Sequence, residues 1–165
     1  VCRPVTFHCT CVRAKKGNMN FEYNQKTKDL LATLKAFIGE HIAPLDKEYT
    51  EWTSQNLWQI HPAMPGLKEK ARAAGLWNLF LPEEYGEYSP GLTNLEYAPL
   101  AEEMGRYLWS SAVFNCNAPD TGNIEVLAKY GSPPQRQQWP LPLLAGEIRS
   151  AFLMTEHDVA SSDAT

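Results

Sequence analysis

From Asn24 onward, apolar residues return at three- and four-residue steps: Leu30, Leu31, Leu34, Phe37, Ile38, Ile42 and Leu45. That spacing lays one apolar stripe along a helix of roughly five turns. Pro44 lies near its end and is expected to stop or kink it, because proline has no N–H to donate. Trp52, Leu57, Trp58 and Ile60 follow in a looser stretch expected to cover part of the core. Pro65 then opens "PGLKEKARAAGLW", a helix with Leu67, Ala71 and Ala74 inward and Gly75 just past its end.

"LFLPEEYGEYSPGLT" is rich in Pro and Gly and reads as a loop. Thr93-x-x-Glu96 is a capping box, so a helix begins there and carries Leu95, Leu100, Ala101 and Met104. Pro99 falls inside it, and a proline costs about 3 kcal/mol in an unkinked helix interior, so a bend is expected. Asp120 or Thr121 is expected to cap "GNIEVLAKYG", where Ile124, Leu127 and Ala128 share a face and Gly131 ends the run. Ser132-Pro133-Pro134-Gln135 reads as another cap, followed by Trp139, Leu143 and Leu144 and closed by Gly146.

After Gly146 the period changes to two. Ile148, Ser150, Phe152 and Met154 alternate with Arg149, Ala151, Leu153 and Thr155, the pattern of a strand with at least one buried face. One strand is not stable alone. The chain therefore reads as mainly α: an all-helical domain over 19–146, then the opening of a β domain over 147–165 that is broken off at its first strand. No internal repeat or low-complexity tract interrupts this order.

Composition adds limits. The length of 165 residues suits one domain, or one and part of another. Hydrophobic content of 44% supplies a core, and no run approaches the roughly 18 apolar residues that a membrane helix needs, so a soluble protein is expected. The net charge of −4 is uneven: residues 1–18 hold four basic residues and no acid, leaving the other 147 with 11 basic and 19 acidic residues, or −8. An acidic body argues against nucleic acid as a partner, because neutralising phosphates needs clustered Lys and Arg. Residues 1–18 have neither the apolar core of a secretory signal nor the helical stripe of a transit peptide. With Met19 resembling a natural start, they are expected to be a non-native or disordered extension. His8, Cys9 and Cys11 lack a matching ligand pair downstream, and adjacent Glu156, His157 and Asp158 on a strand would point to opposite faces, so no metal is expected. His41 and His61 read as surface or partly packed.

Three stretches in order, "AGLWNLFLPEEYGE", "LEYAPLAEEMGRY" and "KYGSPPQRQQWPLPLLAGEIRSAFLMTE…SSDAT", resemble the N-terminal half of the flavin-dependent acyl-CoA dehydrogenase family. "NCNAPDTGN" and the long "DVASSDAT" form are most similar to the subgroup of members ten and eleven. The likeness runs through residues 19–165. It implies a helical domain, a small β domain and a C-terminal four-helix domain, with FAD between the last two. It further implies an acyl-CoA substrate, an electron-transfer flavoprotein or similar acceptor, and a homodimer or homotetramer. A glutamate base would remove the α-proton while the β-hydrogen leaves as hydride to the flavin, giving a 2,3-enoyl-CoA.

By the same resemblance, Phe152, Met154 and Thr155 would line the isoalloxazine, the Thr155 hydroxyl donating near its N5 edge. A rigid strand suits that task better than a mobile loop. Ala160, Ser161 and Ser162 would let the backbone approach the FAD pyrophosphate, Ser162 also touching the CoA portion of substrate, with Asp163 ordering the loop. The family has proline where this chain has His157. No catalytic residue is assigned: Glu83, Glu84, Glu102, Glu103 and Glu156 do not match the family's base, which is expected beyond Thr165 in a longer parent protein. Two other readings stay open. One is a flavin oxidase or monooxygenase of the same fold; the other is a non-catalytic helical interaction module with 150–165 as a disordered tail. The compartment is also open: cytoplasm in a bacterium, mitochondrion or peroxisome in a eukaryote.

Overall fold

The computed structural model describes residues 22–155 and 157–159. These form seven α-helices: α1 (Gln25–Phe37), α2 (Asp46–Gln55), α3 (Met64–Ala73), α4 (Asn94–Met104), α5 (Asp120–Tyr130), α6 (Pro133–Gln138) and α7 (Pro140–Ala145).

The first apolar stripe is used, but not by a single regular helix. α1 gives way to a π-helical turn over Ile38–Ile42 and a 3₁₀ turn over Ala43–Leu45, after which α2 begins. Pro44 has no N–H for the carbonyl four residues back, and the Ala43 N–H donates to Ile38 O, five residues back. Leu34, Phe37, Ile38 and Ile42 are buried all the same, because the wider turn keeps the stripe facing inward.

α3 follows the predicted punctuation. Pro65 stands in its first turn, and Leu67 and Ala71 are buried. Gly75, at φ 70°, donates to Arg72 O, and Leu76 N donates to Ala71 O, the paired bonds of a Schellman end. Ala74 is exposed rather than inward, because it is already the C-cap residue and has left the apolar stripe.

α1 and α4 pack together, and their N-termini share a polar network. Asn24 Oδ1 accepts from Thr27 N at 2.8 Å and caps α1. Its Nδ2 donates to Glu96 Oε1 at 2.6 Å. Glu96 Oε2 accepts from Thr93 N at 2.7 Å while Thr93 Oγ1 accepts from Glu96 N at 3.2 Å, which completes the capping box. These bonds to the ionised form pull the Glu96 carboxyl down from 4.5 to about 2, with the Thr93 backbone N–H the largest cause. α4 runs unbroken across Pro99. Leu95, whose carbonyl loses its donor to Pro99, lies on the exposed side where water can serve it.

The main core gathers Leu34, Phe37, Ile42, Leu67, Leu100 and Phe114 from α1, the π turn that follows it, α3, α4 and the turns after α4. A smaller cluster joins Phe80, Leu81, Ile124 and Leu143 under α5 and α7. Tyr97 and Cys116 pack against both. Burial pushes the Cys116 thiol up to about 11.

Further expectations need correction. Leu57, Trp58 and Ile60 do not cover the core: all are exposed, Trp58 by 97%. They sit in the turn between α2 and α3, where the chain reverses at the surface. His61 is buried, not superficial. Its ring stacks on Tyr49 at 4.6 Å, and its Nδ1 accepts from Ala63 N at 3.1 Å. The segment 148–155 is not a strand; among the described residues no strand forms, the nearest thing being an isolated bridge between Pro82 and Leu92. Phe152, Leu153 and Met154 are exposed by 66%, 93% and 56%, so neither face is buried. A strand is held by a neighbour's N–H and C=O groups, and the described residues offer this segment no second strand.

Candidate functional site

The site predicted from sequence lies on the chain leaving α7. That helix ends on carbonyls which cannot be satisfied within it. Side chains from elsewhere complete them. Asn115 Nδ2 donates to Leu143 O at 3.0 Å, Trp77 Nε1 and Asn78 Nδ2 donate to Leu144 O at 2.7 and 2.9 Å, and Arg72 donates to Ala145 O. Asn78 and Asn115 adopt φ of 56° and 55°, the left-handed region that asparagine tolerates better than most residues. Gly146 then turns the chain at φ 68°, where a Cβ would meet the Trp77 ring at 2.9 Å.

Past Gly146 the chain is fastened to the start of α5. The sequence predicts Asp120, with Thr121 as alternative, as the cap of that helix. It is instead the first helical residue, after Pro119, and its carboxylate faces across to the exit segment. Asp120 is 1% exposed. Its Oδ1 accepts from Ser150 N and Ser150 Oγ, both at 2.7 Å, and its Oδ2 accepts from Arg149 Nε at 2.5 Å. One turn along, Asn123 Nδ2 donates to Ser150 Oγ at 2.8 Å and to Ala151 O at 3.3 Å. Lys68 feels the same cluster: burial lowers its pKa, the positive charges of Arg149 and Arg72 lower it further, and Asp120 opposes them.

Residues 151–155 continue without regular structure and exposed. Phe152 forms one wall of a cavity of about 380 Å³ with Ala118, Pro119, Gly122, Asn123 and Val126. A neighbouring cavity of about 420 Å³ shares Asn123 and Val126 and reaches Trp139, Leu143 and Ile148. Of the predicted cofactor contacts, Phe152, Met154 and Thr155 thus follow one another on a surface segment, with Phe152 against α5. Ala160, Ser161 and Ser162, together with Glu156 and Asp163, lie outside the described residues. His157 is exposed, with Nδ1 3.1 Å from Asp158 Oδ1. Glu103, among the carboxylates not assigned as base, is buried and paired with Arg106 at 3.0 Å.

The model of "Acyl-CoA dehydrogenase, N-terminal domain" matches residues 24–147. The chain belongs to the acyl-CoA dehydrogenase family. It is 50% identical over 142 residues to acyl-CoA dehydrogenase family member 10 of Mus musculus, covering 84% of this chain and 13% of the relative. Against acyl-CoA dehydrogenase family member 11 of Homo sapiens it is 48% identical over 150 residues, covering 88% and 19%. A solved structure from Mycobacterium abscessus, described as an acyl-CoA dehydrogenase, superposes with a TM-score of 0.79 at 49% identity. That likeness covers 87% of this chain and 37% of the other. The chain therefore spans between 13% and 37% of these relatives. The family resemblance and the mainly helical fold hold.

Sequence reasoning missed the Asp120 tether and the asparagines that close α7. Their partners lie 28 to 66 residues away along the chain. The available signal was the "NCNAPDTGN" stretch, in which only Asp120 or Thr121 reads as a local cap and the asparagines carry no assigned role.

Proposed function

We propose that residues 19–146 form the helical domain, and 147–165 the opening of the β domain, of an FAD-dependent acyl-CoA dehydrogenase acting in fatty-acid oxidation. The reaction is α,β-dehydrogenation of an acyl-CoA to the 2,3-enoyl-CoA, with the catalytic base supplied by a part of the parent protein outside residues 1–165. The residues present fit a flavin in kind. Phe152 and Met154 offer exposed apolar surface, and the backbone just before them is held on a buried carboxylate. FAD, when bound, supplies the acceptor for the hydride lost from the β-carbon. The chain's own residues would do the holding. Phe152 and Met154 would give the ring an apolar rest, Thr155 a donor near its N5 edge, and Ala160, Ser161 and Ser162 an approach to the pyrophosphate, Ser162 also meeting the CoA portion.

Support comes chiefly from the near-half identity with acyl-CoA dehydrogenases across the helical domain. An electron-transfer flavoprotein or similar acceptor, and a homodimer or homotetramer, follow from the same membership. No helix among the described residues is long and apolar enough to cross a membrane. The test is to purify the full-length polypeptide that contains this chain and add acyl-CoA without oxygen. A yellow protein whose flavin absorbance bleaches supports dehydrogenation. Rapid return of the colour on admitting oxygen, with hydrogen peroxide formed, favours the oxidase reading; a yellow protein that does not bleach favours the monooxygenase reading, and a colourless one that binds no FAD favours an interaction module.

A further inference from the structure

Asp120 is a buried carboxylate with an unusual set of partners. A buried charge is costly unless it is paired and hydrogen-bonded. Here its three hydrogen bonds come from Arg149 and Ser150 and not from the backbone of α5, the helix that Asp120 opens. Asn123 extends the grip to Ala151. Three consecutive residues, 149–151, are thereby fixed to the first turn of α5, and the exposed run Phe152–Thr155 begins at the next residue. The cost of burying Asp120 is met for a segment that contributes no residue to either buried core cluster except the half-buried Ile148.

Resting on the flavin reading above, we propose that Asp120 is a positioning residue: with Ser150 and Asn123 it sets the direction in which Phe152, Met154 and Thr155 leave the helical domain toward the flavin. An extended chain advances about 3.3 Å per residue, so Thr155 stands at most about 13 Å beyond the last tethered residue, Ala151. Over that reach a small rotation at Ser150 becomes a displacement of ångströms at Thr155. Contacts to a bound ring degrade at misplacements of about 1 Å. Asp120 touches neither substrate nor cofactor in this arrangement; it acts through the segment.

The experiment uses the full-length polypeptide with three variants. Ser150→Ala removes the hydroxyl shared by Asp120 and Asn123, Asp120→Asn removes the charge, and Leu34→Ala destabilises the distant main core. Three quantities are read: hydrogen exchange of the Ser150 amide in the apoprotein, FAD affinity, and the visible circular dichroism of bound flavin. In Asp120→Asn and Ser150→Ala, exchange at Ser150 rises and FAD affinity falls by about tenfold, the size expected for a lost hydrogen bond to a charged group. The flavin dichroism also changes. Leu34→Ala lowers thermal stability and moves none of the three. Unchanged FAD affinity in both tether variants overturns the proposal, as does an equal loss of affinity in Leu34→Ala. If the unsubstituted protein binds no FAD, the flavin reading fails separately. The exchange data then still decide the tether, which stands if Ser150 exchange rises in Asp120→Asn and is refuted if it does not.

Discussion

Replacing Glu96 with glutamine isolates one charge in the network that joins α1 to α4. Glutamine can still reach back to Thr93 N, so the box geometry survives and only the ionised acceptor is lost. That carboxylate accepts from Thr93 N at 2.7 Å and from Asn24 Nδ2 at 2.6 Å. It also lies in the first turn of α4, where negative charge meets the positive end of the helix dipole. Its pKa of about 2, against 4.5 for a free glutamate, would convert to about 3 kcal/mol if the site were dry. Glu96 stands at the surface, and solvent screening reduces this to ~1 kcal/mol. The sign follows from the depressed value. The stabilisation is complete above the unfolded pKa near 4.5, shrinks as pH falls, and is gone once pH passes about 2. Urea denaturation of the 165-residue chain and of Glu96→Gln should differ by ~1 kcal/mol near neutral pH, or about 2–4 °C in Tm, and converge at the acid end. Equal stability at neutral pH, or a difference that persists unchanged into strong acid, would refute the assignment of that energy to the carboxylate's charge.

Other outcomes can be checked independently. Cys116, with a thiol pushed up to about 11, should alkylate in the native protein at pH 8 roughly a hundredfold more slowly than after unfolding, as read by mass spectrometry of its peptide. Gly146→Ala should cost about 1–3 kcal/mol in denaturant unfolding, since it forces a left-handed φ on alanine and drives a Cβ into the Trp77 ring. In the full-length protein, His157→Pro should tighten FAD binding about two- to fivefold by stiffening the free loop, measured as a dissociation constant. An unchanged constant would remove that role for the loop.

What could be read in the sequence was local. The Thr93–Glu96 box, the Gly75 helix end and the stripe through Leu34, Phe37 and Ile42 depend on residues a few positions apart, and all three formed. The stripe's hydrophobicity survived even where Pro44 forced a π turn, because burial and regular hydrogen bonding are separate demands on the same residues. What was hidden was set by distant partners. His61 looks polar in sequence but is enclosed by Tyr49 and Trp52. Trp58 looks like core and stands in solvent, because its place is a surface turn. At 148–155 the helices do end, yet alternation cannot supply the neighbour that turns such a run into a strand, and none forms there. Asp120 reads as a cap because acid before a helix commonly is one, and only the fold brings Arg149 and Ser150 to it.

A structure of the full-length polypeptide with FAD tests the central claim most directly. The account predicts the isoalloxazine against Phe152 and Met154, with Thr155 within hydrogen-bond reach of the ring and Ser150 still held by Asp120. A ring bound elsewhere, with Phe152–Thr155 facing solvent, would contradict it.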